Sequence, residues 1–448
     1  MPITKRFHGA LKFYLIGAFA TLLSGYDTGN IGGALLFVKQ DMHLSALGEG
    51  WIVSSLIIGA IVGSVGGGRL ADRVGRRPTI VVMAYLFLVG CLGEAISPSL
   101  GSLAAFRVIV GLSVGCASVV VPIYIAELAP AEARGSLTSL FQLMIVIGTL
   151  LGYGVDAALG HAEAWRWMFA LGAIPAIALL LALRVVPETP RWLYRRGRAD
   201  AARRVLVQLR GAGDVEPELD RMRSLAAARP PTRRSWSALR SSQNRRALVI
   251  GIGLAIFTQI TGINTIIYYA PTILTTIGLG TSVALILNVG LGAWAIVAML
   301  FEIFLIDRVG RKPLLLFGSA ALCLSMLVAG LSRVIGGLGL MTAGIIAVLC
   351  FLVFETGFQV GWGAIPSIVA SEVFSGDARG LGFGICNGVN WSINFIVSLT
   401  FPLLFVGGAG TPFFVYGLMA LFACAFIVYL VPETNGKNLE DMEATLRQ

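Results

Sequence analysis

The chain has 448 residues, enough for two or three soluble domains, yet 56% of them are hydrophobic, only 13% are charged, and the mean hydropathy is +0.82. That balance describes a chain whose solvent is mostly lipid, and it excludes a soluble globular protein. The net charge of +10 does not point to a nucleic-acid partner, because the basic residues crowd into short connections on one side of the predicted membrane.

Lys5, Arg6 and Lys12 precede the first apolar run. No small-residue cleavage site follows and the run is too long for a signal peptide, so it reads as an uncleaved first helix. A window of about 20 residues, the length that crosses ~30 Å of hydrocarbon, predicts spans at 13–36, 51–71, 79–97, 101–126, 136–158 and 167–186. The second half gives 247–275, 282–306, 314–332, 340–370, 381–405 and 412–431. An even number of spans puts both termini on one side, and the Arg-rich connections after spans 2, 6 and 8 make that side the cytoplasm. Residues 187–246 differ: dense in Arg, with helical apolar spacing over 201–209, they predict amphipathic helices on the cytoplasmic face, joined by the Pro-Pro stretch at 228–232. The expected fold is therefore an all-α membrane protein of twelve helices. Two six-helix bundles, 1–186 and 247–448, flank the cytoplasmic helices of 187–246, and a short tail follows the last span.

The halves repeat. Asp72-Arg-Val-Gly-Arg-Arg77 after span 2 returns as Asp307-Arg-Val-Gly-Arg-Lys312 after span 8. Glu127 followed by Arg134 returns as Glu372 followed by Arg379, and Pro187-Glu-Thr189 returns as Pro432-Glu-Thr434. The offset is 235 residues for the first pair of motifs and 245 for the other two, a drift that one longer loop near 336–339 accounts for. A duplicated bundle of this kind implies alternating access around a site between the halves.

With these residues in view, the chain resembles the sugar porter branch of the major facilitator superfamily over nearly its whole length. Within that branch it is similar to bacterial proton-coupled sugar symporters and facilitative glucose transporters. The loop after span 2 is the superfamily signature. Pro187-Glu-Thr-Pro-Arg-Trp-Leu193, Pro432-Glu-Thr434 and Gln259-Ile-Thr-Gly-Ile-Asn264 followed by Tyr268-Tyr269 narrow the resemblance to sugar porters. It implies a central cavity and cytoplasmic networks of Arg and acid that hold the outward-facing state. Those networks comprise Asp72, Arg73, Arg76, Glu127 and Arg134, with Asp307, Arg308, Arg311, Glu372 and Arg379 as their counterparts.

Charges at hydrocarbon depth are expensive, so each acid or base within a span is a functional candidate. Asp27 lies some 14 residues into span 1, roughly 20 Å from the cytoplasm at 1.5 Å per residue, and Arg107 lies about 10 Å below the outer face. The two meet in the outer half of the membrane. In proton-coupled members of the resembled family the acid at the Asp27 position is the proton site and the Arg tunes it, whereas uniporters tend to have a neutral residue there. Glu355 in span 10 is a further coupling candidate, on one helical face with Gln359, Trp362 and Pro366 and expected to face water or solute. Glu302, a turn from the cytoplasmic end of span 8, is expected to join the Arg308–Arg311 cluster.

The membrane-embedded polar set is rich in amides and aromatics: Gln142, Gln259, Asn264, Tyr268, Tyr269, Gln359, Trp362, Asn390, Trp391 and Asn394. Amides donate and accept, as hydroxyl groups do, and indole rings cover the CH faces of a pyranose. By the resemblance, Gln142, Gln259, Asn264 and Asn390 stand at sugar-binding positions. Thr258, Ser367 and Ala295 depart from it, standing where Gln, Trp and Asn are common, which puts glucose or xylose specificity in doubt.

The six cysteines lie in apolar segments with no CxxC pair and read as packing residues. There is no Walker loop, zinc-ligand cluster or nucleophile triad, and the three His lie outside the spans, so neither an enzyme nor a cofactor is expected. The reading is a monomeric inner-membrane carrier of a neutral sugar or polyol, driven by a proton. The alternatives are a facilitative uniporter, which Asp27 argues against, and a proton-coupled exporter of another solute, which the span-7 motif argues against. A sensor of the same fold would need a longer tail than the 16 or so residues after span 12.

Overall fold

In hydrocarbon a backbone N–H finds no water, so a spanning segment must satisfy its own hydrogen bonds as a helix. The computed structural model of the chain follows that rule: every regular element among the described residues is helical. It describes residues 3–129, 134–210, 215–227, 238–335, 339–374, 378–408 and 410–435.

The first half runs α1 (Ile3–Asp41), α2 (Ala46–Val74), α3 (Arg76–Ala95), α4 (Leu100–Leu128), α5 (Arg134–Leu159), α6 (Trp165–Ala170) and α7 (Ala173–Ala182). The predicted cytoplasmic segment holds α8 (Pro190–Arg195), α9 (Ala199–Arg210) and α10 (Glu216–Ala227). The second half runs α11 (Ser242–Ile260), α12 (Ile263–Thr276), α13 (Thr281–Val309), α14 (Arg311–Val334), α15 (Leu340–Gly357), α16 (Ile365–Val373), α17 (Arg379–Val406) and α18 (Thr411–Leu430). Eleven helical stretches among the described residues are long and apolar enough to cross a membrane. With α1, which is 39 residues long and contains the predicted 13–36 span, they make twelve. The 228–232 stretch, the middle of the 336–339 loop and the chain beyond 435 lie outside the described residues.

Three spans are interrupted. Span 6 is α6 and α7, meeting at Gly172. Span 7 breaks between α11 and α12 at Gly262, whose φ of 94° lies in the left-handed region that favours glycine. Span 10 passes through a π-helical turn at Phe358–Trp362 before α16 resumes with Pro366 in its first turn. Such wide turns insert a residue into the helical repeat and re-aim the side chains around it.

The chain forms two compact units. One is Met1–Asn30, Ile58–Val155 and Trp165–Pro230; the other is Ile31–Ile57, Asp156–Ala164 and Pro231–Gln448. In the first, α1 and α5 cross with backbones in contact: a Cβ on Gly25 would stand 2.0 Å from the Ile145 carbonyl oxygen, and one on Gly29 2.3 Å from that of Thr149. Small residues permit this approach, which substitutes for a hydrophobic effect that lipid does not supply. α9 presents Ala202, Leu206 and Leu209 to its neighbours, and Arg210 ties it to the bundle by donating to the Leu128 carbonyl at 2.8 Å and the Tyr14 hydroxyl at 3.1 Å. In the second unit the 31–57 segment packs closely, with Gly50 so near the Leu399 carbonyl that a Cβ would stand 2.4 Å away.

Candidate functional site

Each half places one glutamate on the start of one helix. Gly75, with φ 112°, turns the chain into α3, and the Glu188 carboxylate accepts the N–H groups of Arg76 and Arg77, each at 3.1 Å. Gly310, with φ 99°, turns it into α14, and Glu433 accepts those of Arg311 and Lys312, each at 3.0 Å. Four orphan N–H groups and a positive dipole end make such a terminus an anion site. Burial pushes the Glu188 carboxyl above its ordinary value despite its backbone donors. At Glu433 burial acts the same way, but N–H donors from Asn435, Arg311, Lys312 and Thr434 outweigh it and hold the carboxyl below the usual range.

The predicted charge networks assemble around these caps. Arg76, 4% exposed, pairs with Asp72 and Glu127, each at 3.1 Å, and Glu127 also accepts the Thr189 hydroxyl at 2.6 Å. The Arg73 and Asp72 carbonyls receive Arg196. Arg311 reaches Glu372 at 3.7 Å and also contacts Asn435. Arg308 is exposed. The side chains of Arg134, Asp307 and Arg379 lie outside the described residues.

In the first unit, three ionisable side chains meet inside the bundle. Arg107 Nη1 donates to Asp27 Oδ1 at 3.1 Å and Nη2 to Oδ2 at 3.4 Å. Its Nη1 also reaches Glu94 Oε1, from α3, at 3.5 Å. Exposure is 2% for Arg107, 5% for Asp27 and 0% for Glu94. Around Asp27, the Tyr26 hydroxyl and the Asn30 amide both donate to the Met168 carbonyl, at 2.6 and 2.9 Å, fixing this stretch of α1 against α6.

In the second unit, the break at Gly262 brings two amides from either side of it together. Asn264 Nδ2 donates to Gln259 Oε1 at 2.6 Å, Gln259 Nε2 to Asn390 Oδ1 at 3.0 Å, and Asn390 Nδ2 to the Ala255 carbonyl at 3.3 Å. Tyr268 is buried, and Tyr269 donates to the Ser398 carbonyl at 3.1 Å. Asn394 accepts the Ser398 hydroxyl at 3.1 Å, and Trp391 is half-buried. Gln142 is half-buried on α5 in the first unit.

Span 10 corrects two expectations. Gln359 and Glu355 do share a face, joined by a 2.8 Å hydrogen bond, but Glu355 is only 7% exposed and faces its neighbour rather than water. The π-turn swings Trp362 off that face: fully buried, it donates its indole N–H to the Ser319 hydroxyl on α14 at 3.0 Å. Glu302 does not join the Arg308–Arg311 cluster either. It is 3% exposed and accepts the Ala364 N–H at 3.0 Å, satisfying an orphan donor where α16 begins.

The family described as "Sugar (and other) transporter" matches residues 13–446. The chain belongs to this family, the sugar porters of the major facilitator superfamily. It is 40% identical over 436 residues to the D-xylose transporter of Levilactobacillus brevis, a match covering 97% of this chain and 95% of that one. It is 36% identical over 456 residues to the galactose-proton symporter of Escherichia coli strain K12, covering 100% and 97%. Among solved structures, the inward open conformation of the xylose transporter XylE from E. coli is similar with a TM-score of 0.84 at 30% identity, over 97% of this chain and 99% of that one.

This sugar porter is thus an integral, multi-pass membrane transporter and not an enzyme. Reading its sequence missed several acids with defined partners, among them Glu188, Glu433 and Glu94. Glu188 and Glu433 stood inside the repeated Pro-Glu-Thr motif, and a glycine before each facing helix was the available signal. Glu94 stood within a predicted span, where the rule that singled out Asp27 applies to it equally.

Proposed function

We propose that this sugar porter takes up a neutral monosaccharide or related polyol by alternating access, with a proton carried on Asp27. The single observation behind the coupling is the buried two-pronged contact of Arg107 on Asp27. A carboxylate at this depth is retained against a large desolvation cost, and its partner is a group that cannot give up its own proton. Asp27 is then the member of the pair that titrates, and any step that loosens the contact invites a proton onto it.

Gln142, Gln259, Asn264 and Asn390 bind the solute hydroxyls, with Tyr268 and Gln359 beside them and Trp362 supporting them from the span-10 turn. The three amides of the second unit hydrogen-bond one another, so a hydroxylated ligand exchanges like for like instead of leaving polar groups bare. The relatives named for D-xylose and galactose-proton transport fit this chemistry. The Arg–acid networks, including Arg134, Asp307 and Arg379, gate the cytoplasmic ends as the bundles 1–186 and 247–448 rock. The protein works as a monomer in a bacterial inner membrane with both termini cytoplasmic.

A thermal-shift panel of neutral sugars, polyols and organic anions on the purified carrier tests the solute class. A rise in Tm with one or more sugars or polyols is expected. Stabilisation by organic anions alone would contradict it.

A further inference from the structure

We propose that Glu94 is the resident counter-ion of Arg107 and the group that allows Asp27 to take a proton. This rests on the reading of Asp27 as the proton site and adds a second carboxylate to it. The cluster has a charge count that a simple pair does not. With Asp27 and Arg107 alone, protonating the aspartate leaves a buried guanidinium without a carboxylate counter-charge, which low-dielectric surroundings oppose. Glu94 changes that count: when Asp27 is neutral, Arg107 still holds one carboxylate, and the proton-loaded cluster is neutral as a whole.

The geometry fits this role. One guanidinium nitrogen, Nη1, serves both acids, at 3.1 Å to Asp27 and 3.5 Å to Glu94, so a small movement transfers it from one to the other. Glu94 is wholly enclosed, and among the described residues its second oxygen, Oε2, has no hydrogen-bond partner. An unpartnered carboxylate oxygen in such a place is costly. The elements packed on α3 bring few other titratable groups. Cys91 lies one turn back on the same helix, Tyr26 on α1 is bonded to the Met168 carbonyl, and Arg166 on α6 points to the Ser97 carbonyl and the Trp165 ring. Glu94 acts through Arg107 and is a positioning residue: it neither touches solute nor carries the transported proton.

The test is an infrared pH titration of the full-length carrier in liposomes without solute, following the carboxylic C=O band that Asp27→Asn removes. In Glu94→Gln that band should titrate roughly one pH unit lower than in wild type, because Arg107 then clamps Asp27 alone. An unchanged midpoint overturns the proposal. If Asp27→Asn removes no band, the coupling reading on which it rests fails instead. Thermal unfolding supplies a readout free of that reading. Asp27→Asn and Glu94→Gln should each be tolerated, and the double variant should lose far more than their sum, since Arg107 is left without either carboxylate. Additive losses also overturn the proposal. Should Glu94→Gln not fold, Glu94→Asp takes its place. It keeps the charge but withdraws it from Arg107, and a partial acid shift is expected, against none if Glu94 only fills space.

Discussion

Gln259 donates to Asn390 across 3.0 Å, linking the end of α11 to the middle of α17. The bond joins two residues 131 positions apart, and it exists because α11 ends at Ile260, just before the break at Gly262, and leaves Gln259 on the last turn of a half-helix. Broken helices in a membrane are tolerated where they line a polar site, and the amides gathered here give that break a use.

Alanine at Gln142, Gln259, Asn264 or Asn390 should therefore weaken solute binding by about 1–3 kcal/mol, roughly five- to 150-fold in Kd, through a polar group left unpaired. Isothermal titration with the solute found in the thermal-shift panel measures this. Unchanged affinity in all four variants would remove these residues from the site.

Selectivity should follow the departures. Thr258 spends its hydroxyl on the Leu254 carbonyl at 2.7 Å, and Ser367 is exposed where a ring is common in the family. Thr258→Gln with Ser367→Trp should move preference toward a common hexose, read from competition across monosaccharides. An unchanged order of preference would show that these positions do not set it.

The Glu433 cap carries a pH signature. Its carboxyl lies below the ordinary value of 4.5, so the folded state favours the ionised form. The stability it contributes is present above about 4.5 and is lost as pH falls through the folded value. Glu433→Gln should lower Tm at pH 7, and the gap to wild type should close as the pH drops below 4.5. A gap that does not change with pH would assign the loss to packing.

Helix placement was legible in the sequence because lipid leaves the backbone no alternative to a helix, and twelve apolar windows correspond to the helices around 13–36 through 412–431. The duplicated motifs were legible for a similar reason: the Asp-Arg-Val-Gly-Arg loop and the Pro-Glu-Thr stretch recur at almost constant offset. What periodicity missed was local. A π-turn at Phe358–Trp362 cannot be foreseen from a 3.6-residue repeat, so Trp362 was expected beside Gln359 and stands against Ser319 instead. Glu302 was assigned by proximity in sequence to Arg308, whereas its partner, the Ala364 N–H, lies 62 residues away. Partnerships set by tertiary packing leave no trace in spacing.

The central claim is that the proton crosses on Asp27. One charge moving through 100 mV is worth about 2.3 kcal/mol, which supports accumulation of a few tens-fold. The direct measurement is uptake of the identified solute into proteoliposomes under an inward proton gradient, with and without a protonophore. Wild type should accumulate solute only while the gradient lasts. Asp27→Asn should bind solute and run counterflow but fail to accumulate. Gradient-driven accumulation that survives in Asp27→Asn would contradict the account and pass the role to Glu355.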